Sequence, residues 1–212
     1  MVRRRYRLRF SKKGNLRFIG HRDLLRAIER ILRRARLPVA MSQGFHPKPR
    51  VSYLSALPLG FSSDDEAMEL VLDEDLPASE TLARLNAASV DGLEFLSARA
   101  LKEDDPKQQP RSFVYEIDVP TELVDATRER LRAFMALATR PFEKANGKVV
   151  DARPPVASAT LDDGGALTFE LLAQTGPEVG AREILACLDL DGELFRSIFP
   201  NRKRSLIADE CE

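Results

Sequence analysis

Apolar side chains recur along this chain with two periods, and the order in which those periods alternate is what most restricts its fold. In "RRRYRLRF", Tyr6, Leu8 and Phe10 alternate with Arg5, Arg7 and Arg9. That is the pattern of a strand with one buried face, and it predicts the arginines on the solvent side. "SKKGN" supplies a turn, after which "LRFI" resumes the strand. In "HRDLLRAIERILRRARL" the period changes: Leu24, Leu25, Ile28, Ile31, Leu32 and Ala35 recur at helical spacing. Arg22, Arg26, Arg30 and Arg33 form a second stripe, and Pro38 closes the helix. "VSYLSALPLG" and "EAMELVLDE" then read as strands. A helix opens near Pro77 and Ser79, and "GLEFLSARA" is a fourth strand.

The order is β-α-β-β-α-β, and it restarts after a polar stretch with two prolines, "KEDDPKQQPR". "SFVYEIDV" predicts a strand and "TELVDATRERLRAFMALAT" a helix with Leu123, Val124, Leu131, Phe134 and Met135 as its apolar positions. "KVVDARPPV" and "ALTFELLAQ" read as strands flanking "DDGG", "AREILACLDL" as a short helix and "KRSLIAD" as a last strand. The expected fold class is therefore α+β, with two tandem ferredoxin-like halves. Residues 1–101 form a basic amino-terminal domain, 102–111 a linker, and 112–212 a carboxy-terminal domain.

Charge divides along the same line. The whole chain balances 33 Lys and Arg against 33 Asp and Glu. Residues 1–60 carry 16 cations against only Asp23 and Glu29, whereas residues 61–212 carry 17 cations and 31 acids. A segment this basic suggests a polyanionic partner. The alternative is that the two parts neutralise each other across an internal face. No apolar run approaches the roughly 20 residues of a membrane span. Cys187 and Cys211 give neither metal spacing nor a disulfide framework, so a cytoplasmic setting is expected, with neither cofactor nor metal.

The loop "SQGFHPKPRVSY", residues 42–53, concentrates the chemistry. Gly44 permits close backbone approach, Pro47 and Pro49 hold the chain extended, and Lys48 and Arg50 bring charge. Phe45 and His46 offer stacking faces. Aromatic and basic residues interleaved beside a basic helix suit RNA with splayed bases. The same residues also suit a rigid turn into an edge strand. Arg3, Arg5, Arg7, Arg9, Arg17, His21, Arg22, Arg26, Gln43, Gly44, Phe45, His46, Lys48 and Arg50 are the candidate contacts. His21 and His46 are the only imidazoles; either could serve a metal-independent ribonuclease, or merely cap a helix and fill a loop. Asp64, Asp65 and Glu66 read as a solvated turn, as does "DEDLP", and the basic run "NRKRS" reads as a solvated loop.

The motifs "FIGHRDLLR", "SQGFHPKPRVSY", "ALPLG" and "DEAMEL" together resemble the radical-SAM-linked protein family of bacteria, and "VVDARPPV" is similar to its later block. That resemblance implies a radical-SAM protein as partner, encoded separately or fused in relatives. With no CxxxCxxC here, radical chemistry would belong to that partner. The doubled element order also looks like the repeat-processing endoribonucleases of CRISPR systems, although the carboxy-terminal glycine-rich loop of those enzymes is missing. The resulting expectation is a non-catalytic RNA-binding accessory module, for tRNA or rRNA, acting with a radical-SAM RNA- or protein-modifying enzyme. The alternatives are a metal-independent endoribonuclease using His46 or His21, and a docking subunit for an acidic protein.

Overall fold

The computed structural model describes residues 3–102, 105, 109–173, 179–192 and 198–207. The chain divides into two compact units, Met1–Gln109 and Pro110–Glu212. Both are α+β, and each is built on antiparallel strand pairs.

The first unit runs β1 (Arg4–Lys12), a 3-10 turn (Gly14–Phe18), α1 (His21–Arg34), β2 (Val51–Tyr53), β3 (Ser62–Leu72), α2 (Ala78–Ala87) and β4 (Leu93–Ala100). Its strand order is β4-β1-β3-β2. Tyr6, Leu8 and Phe10 of β1 and Met68, Leu70 and Leu72 of β3 are buried on one side of the sheet. Leu24, Ile28, Ile31 and Leu32 of α1 join the same core. Each such side chain contributes about 1.5–3 kcal/mol of transfer free energy, which fixes the helix to that face. Arg33 and Arg34 in its last turn suit the negative end of the helix dipole. The helix stops where Arg36 turns to φ 51°.

Several expectations are corrected here. "LRFI" does not resume the strand: Gly14 turns the chain at φ 58°, and Leu16 and Ile19 donate to the carbonyls of Lys13 and Leu16. "VSYLSALPLG" is a strand only as far as Tyr53. β3 begins at Ser62, so Asp64, Asp65 and Glu66 are strand residues and not a solvated turn.

The second unit runs β5 (Pro110–Asp118), a 3-10 turn (Thr121–Leu123), α3 (Val124–Ala136), β6 (Pro141–Glu143), β7 (Val149–Asp151), β8 (Val156–Leu161), β9 (Ala166–Leu172), α4 (Ala181–Cys187) and β10 (Asn201–Ile207). Its order is β8-β9-β5-β10, with β6 and β7 paired as a separate hairpin. "KVVDARPPV" is therefore two elements. The Asp151 carboxylate accepts from the amides of Arg140 (2.7 Å) and Arg153 (3.2 Å), and Pro154 and Pro155 have no amide to continue a ladder. The last strand begins earlier than "KRSLIAD" predicts, so Asn201 and Arg202 of "NRKRS" are corrected from loop to strand. Arg202 is buried, donates to the Tyr115 hydroxyl at 2.9 Å, and lies 4.3 Å from the centre of the Phe113 ring. The middle of "KEDDPKQQPR", the end of "ALTFELLAQ", the last two residues of "KRSLIAD" and Cys211 lie outside the described residues.

Candidate nucleic-acid interface

The arginine row of β1 does not face solvent. Opposite it in the antiparallel register runs β3, with Arg7 across from Glu69 and Arg9 across from Ala67. Arg7 is buried and donates through Nε and Nη2 to Glu69 Oε1, at 3.3 and 2.9 Å. Arg9 meets Asp65 at 3.0 Å. Arg5 lies 3.9 Å from Glu69 and donates to the Asp105 carbonyl. The ladder continues with Lys13 to Asp64 (3.0 Å) and, toward the strand's start, Arg3 to Asp73 (3.1 Å) and Arg4 to Asp75 (2.8 Å). Arg4 holds the Asp75 carboxyl below its ordinary range. Burial, aided by a hydrogen bond to Asp75, raises the Tyr6 phenol. "DEDLP" is thus an ion-pairing segment. The charge asymmetry of the sequence is partly spent inside the first unit: the cations of β1 and the acids that follow residue 60 neutralise each other.

The cations left exposed are elsewhere. A flank of α1 and the segment that follows it enclose a groove of about 660 Å³, part of whose floor, Leu32 and Leu37, also belongs to the core. Arg22, Arg26 and Arg33 of α1 and Lys48 of the loop line it, against one acid, Glu29. Arg26 pairs with Asp23 at 3.2 Å on the surface, a contact worth about 0–1 kcal/mol. Among the described residues Arg22, Arg33 and Lys48 have no ion pair. Leu25, Leu32, Leu37, Val39, Met41, Pro47 and Pro49 complete the lining and make it apolar.

The loop beside the groove is closed at its base. Met41 bridges to Pro49 and Val39 to Leu72. The Ser42 amide donates to the Lys48 carbonyl (2.8 Å), and the Lys48 amide returns a bond to Ser42 Oγ (2.9 Å). Arg50 donates its amide to the Ala40 carbonyl at 2.7 Å, and its side chain stays exposed. At the tip Gly44 sits at φ 125°, and Gln43, Phe45 and His46 are exposed, Phe45 completely (102%). An apolar ring held fully in water on a braced loop is a side chain with nothing of its own unit to bury against.

The two histidines stand apart in character. His46 is exposed on the loop. His21 begins α1, half-buried, with its ring edge-on to Tyr53 at 5.7 Å. Burial lowers its pKa, Glu66 opposes the shift and Lys12 adds to it. No hydrogen bond or ring contact joins the two among the described residues. Arg17 lies over the Phe18 ring, its guanidinium carbon 4.6 Å from the centroid. Of the candidate contacts, the structure gathers Arg22, Arg26, Gln43, Gly44, Phe45, His46, Lys48 and Arg50 on α1 and the loop. It commits Arg3, Arg5, Arg7 and Arg9 to acids. Sequence reasoning missed the aliphatic lining, because Leu32 and Leu37 belong to the core and line the groove at once, and Leu25 fits the same apolar stripe. It also missed Lys12 and Glu66, which continue the period-two apolar runs of β1 and β3 as buried charges.

Fold and surface define a two-unit α+β protein with a cationic, apolar-lined groove on its first unit. The chain belongs to a family described as an uncharacterized protein conserved in bacteria (DUF2344), whose model matches residues 5–181. A search of curated proteins finds no match. Among solved structures, the chain is similar at 11% identity to an unknown protein from Galdieria sulphuraria, with a TM-score of 0.29, over 80% of this chain and 79% of that one. No helix among the described residues is long and apolar enough to cross a membrane.

Proposed function

We propose that the protein is a non-catalytic module that binds single-stranded RNA across α1 and the 42–50 loop. The observation that carries this reading is the groove with four cations to one acid, set beside a wholly exposed Phe45. Cations track phosphates, and an exposed aromatic face accepts an unpaired base whatever its identity. The strand orders β4-β1-β3-β2 and β8-β9-β5-β10 support reading each unit as ferredoxin-like, the second with the β6–β7 hairpin inserted. Partnership with a radical-SAM enzyme, and a cytoplasmic setting, rest on the sequence resemblance and the cysteine usage.

The aliphatic lining favours a second reading, in which the groove docks an acidic segment of a protein. Anisotropy titrations with labelled single-stranded RNA, tRNA and rRNA fragments test the first reading. Neutralising about four phosphates predicts a log–log salt slope near −3, at roughly 0.7 per phosphate, and Phe45→Ala should cost about 1–3 kcal/mol. An acidic peptide that binds while RNA fails to compete would transfer the groove to the second reading. Site-specific cleavage in EDTA that disappears in His46→Ala or His21→Ala would make the protein a ribonuclease.

A further inference from the structure

We propose that Glu29 reads a base in the groove beside α1, and that the RNA segment held there carries an unpaired guanine. This inference rests on the RNA reading above. It adds what phosphate contacts and stacking leave open, the identity of a base.

Glu29 is half-buried in the middle of α1 and lines the groove. Arg26 stands three residues before it and Arg33 four after, the spacings at which a helix brings side chains together. Glu29 nevertheless pairs with neither. Arg26 turns to Asp23 at 3.2 Å, and Arg33 makes no ion pair among the described residues. Among those residues Glu29 has no hydrogen bond either. Its neighbours one turn back and one turn on, Leu25 and Leu32, are apolar lining of the same groove. The result is a partly desolvated carboxylate with its acceptor sites unfilled.

An ionised carboxylate accepts hydrogen bonds and cannot donate them. In a tract built for phosphates alone it is a defect, because it repels them. It becomes an asset when the ligand brings N–H donors, and in RNA the unpaired bases bring them on their Watson–Crick edges. Guanine sets two donors side by side there, the N1–H and the N2 amine, which match the two oxygens of one carboxylate. Cytosine and adenine offer a single amino group next to an acceptor. Uracil offers one N–H between two carbonyls. Guanine therefore uses the whole groove: its ring lies on the aliphatic lining, its edge meets Glu29, and the phosphates on either side meet Arg22, Arg33 and Lys48.

The test titrates the whole chain, by anisotropy at fixed salt, into labelled oligouridines that differ only at one central residue: uridine, cytidine, adenosine, inosine or guanosine. We expect the guanosine oligomer to bind at least about fivefold more tightly than the uridine, cytidine and adenosine oligomers, the scale of a bidentate base contact. Inosine, which lacks the N2 amine, should fall between. Glu29→Gln should abolish the preference by weakening the guanosine complex alone, while Lys48→Ala should weaken all the complexes alike. Melting temperatures check that both variants are folded. Binding of all the oligomers with no preference for guanosine overturns this inference and leaves the RNA reading standing. A preference that survives Glu29→Gln, or a variant that tightens every complex equally, also overturns it, since the acid then only tempers the charge of the helix. Failure of every oligomer to bind overturns both.

Discussion

Replacing Arg7 by Met removes one half of a buried ion pair. Glu69, 6% exposed, then keeps its charge inside the sheet face with Arg5, at 3.9 Å, as its remaining ion-pair partner among the described residues. Breaking such a pair from one side costs about 3–5 kcal/mol, because the remaining charge is desolvated and uncompensated. The double variant Arg7→Met with Glu69→Leu removes both charges. It also removes Arg7 Nη1, which is buried without an acceptor and by itself costs about 1–3 kcal/mol. Stability of the double variant should therefore return to within about 1 kcal/mol of the parent, or exceed it. Urea unfolding of the three proteins, followed by circular dichroism, reads these differences from the transition midpoints at unchanged slope. A loss below about 1 kcal/mol for the single variant would refute the reasoning, as would a double variant no more stable than the single one. The same argument makes glutamate at positions 5, 7 and 9 a folding defect. Loss of RNA binding in that triple variant would say nothing about phosphates.

Gly92→Ala should be strongly destabilising: at φ 80° a Cβ would stand 2.5 Å from the Lys13 carbonyl oxygen, so the cost should exceed the about 1–3 kcal/mol of backbone strain alone. Gly44→Ala meets nothing within 4 Å and should cost only that strain, measured in the same urea series. His21 should make stability depend on pH. Its folded pKa is lowered by burial and by Lys12, against the opposing Glu66, so the unfolded chain binds the proton first as pH falls. Stability is then lost below about 6.5, and His21→Phe should flatten that part of a melting-temperature profile. Lys48→Ala with Arg33→Ala should lower the salt slope of RNA binding by about 1.4, two phosphates' worth, without changing the melting temperature by more than a degree or two.

The fold class was legible because period-two and helical runs alternate cleanly from Arg4 to Ala100. Chain termini of elements were less so. Pro154 and Pro155 hid the boundary between β7 and β8, and nothing local in "SSDDE" declares a strand, since acids there are tolerated only because Arg9 and Lys13 lie across the sheet. The arginine row shows the limit most clearly. Alternation tells which side chains share a face, but whether that face meets water depends on residues about sixty positions later. The exposed loop could be read from Gly44, Phe45 and Lys48 because its character is local. Lys12 and Glu66 could have been noticed as the polar members of otherwise apolar alternations.

The ladder between β1 and β3 also settles a choice the apolar residues leave open. Tyr6, Leu8 and Phe10 against Met68, Leu70 and Leu72 would mesh almost as well if one strand slid by two residues, since such a slip keeps every side chain on its face. Sliding one way sets Arg5 across from Glu69 and Arg7 across from Ala67. Sliding the other sets Arg9 across from Glu69 and Arg7 across from Val71. In each case a buried guanidinium loses its carboxylate. The ion pairs therefore act as a ruler during assembly, adding little to the depth of the correct state while raising the energy of its nearest misaligned neighbours. It follows that the cations of β1 and the acids of β3 are one inheritable unit, whose members can be exchanged together but not singly.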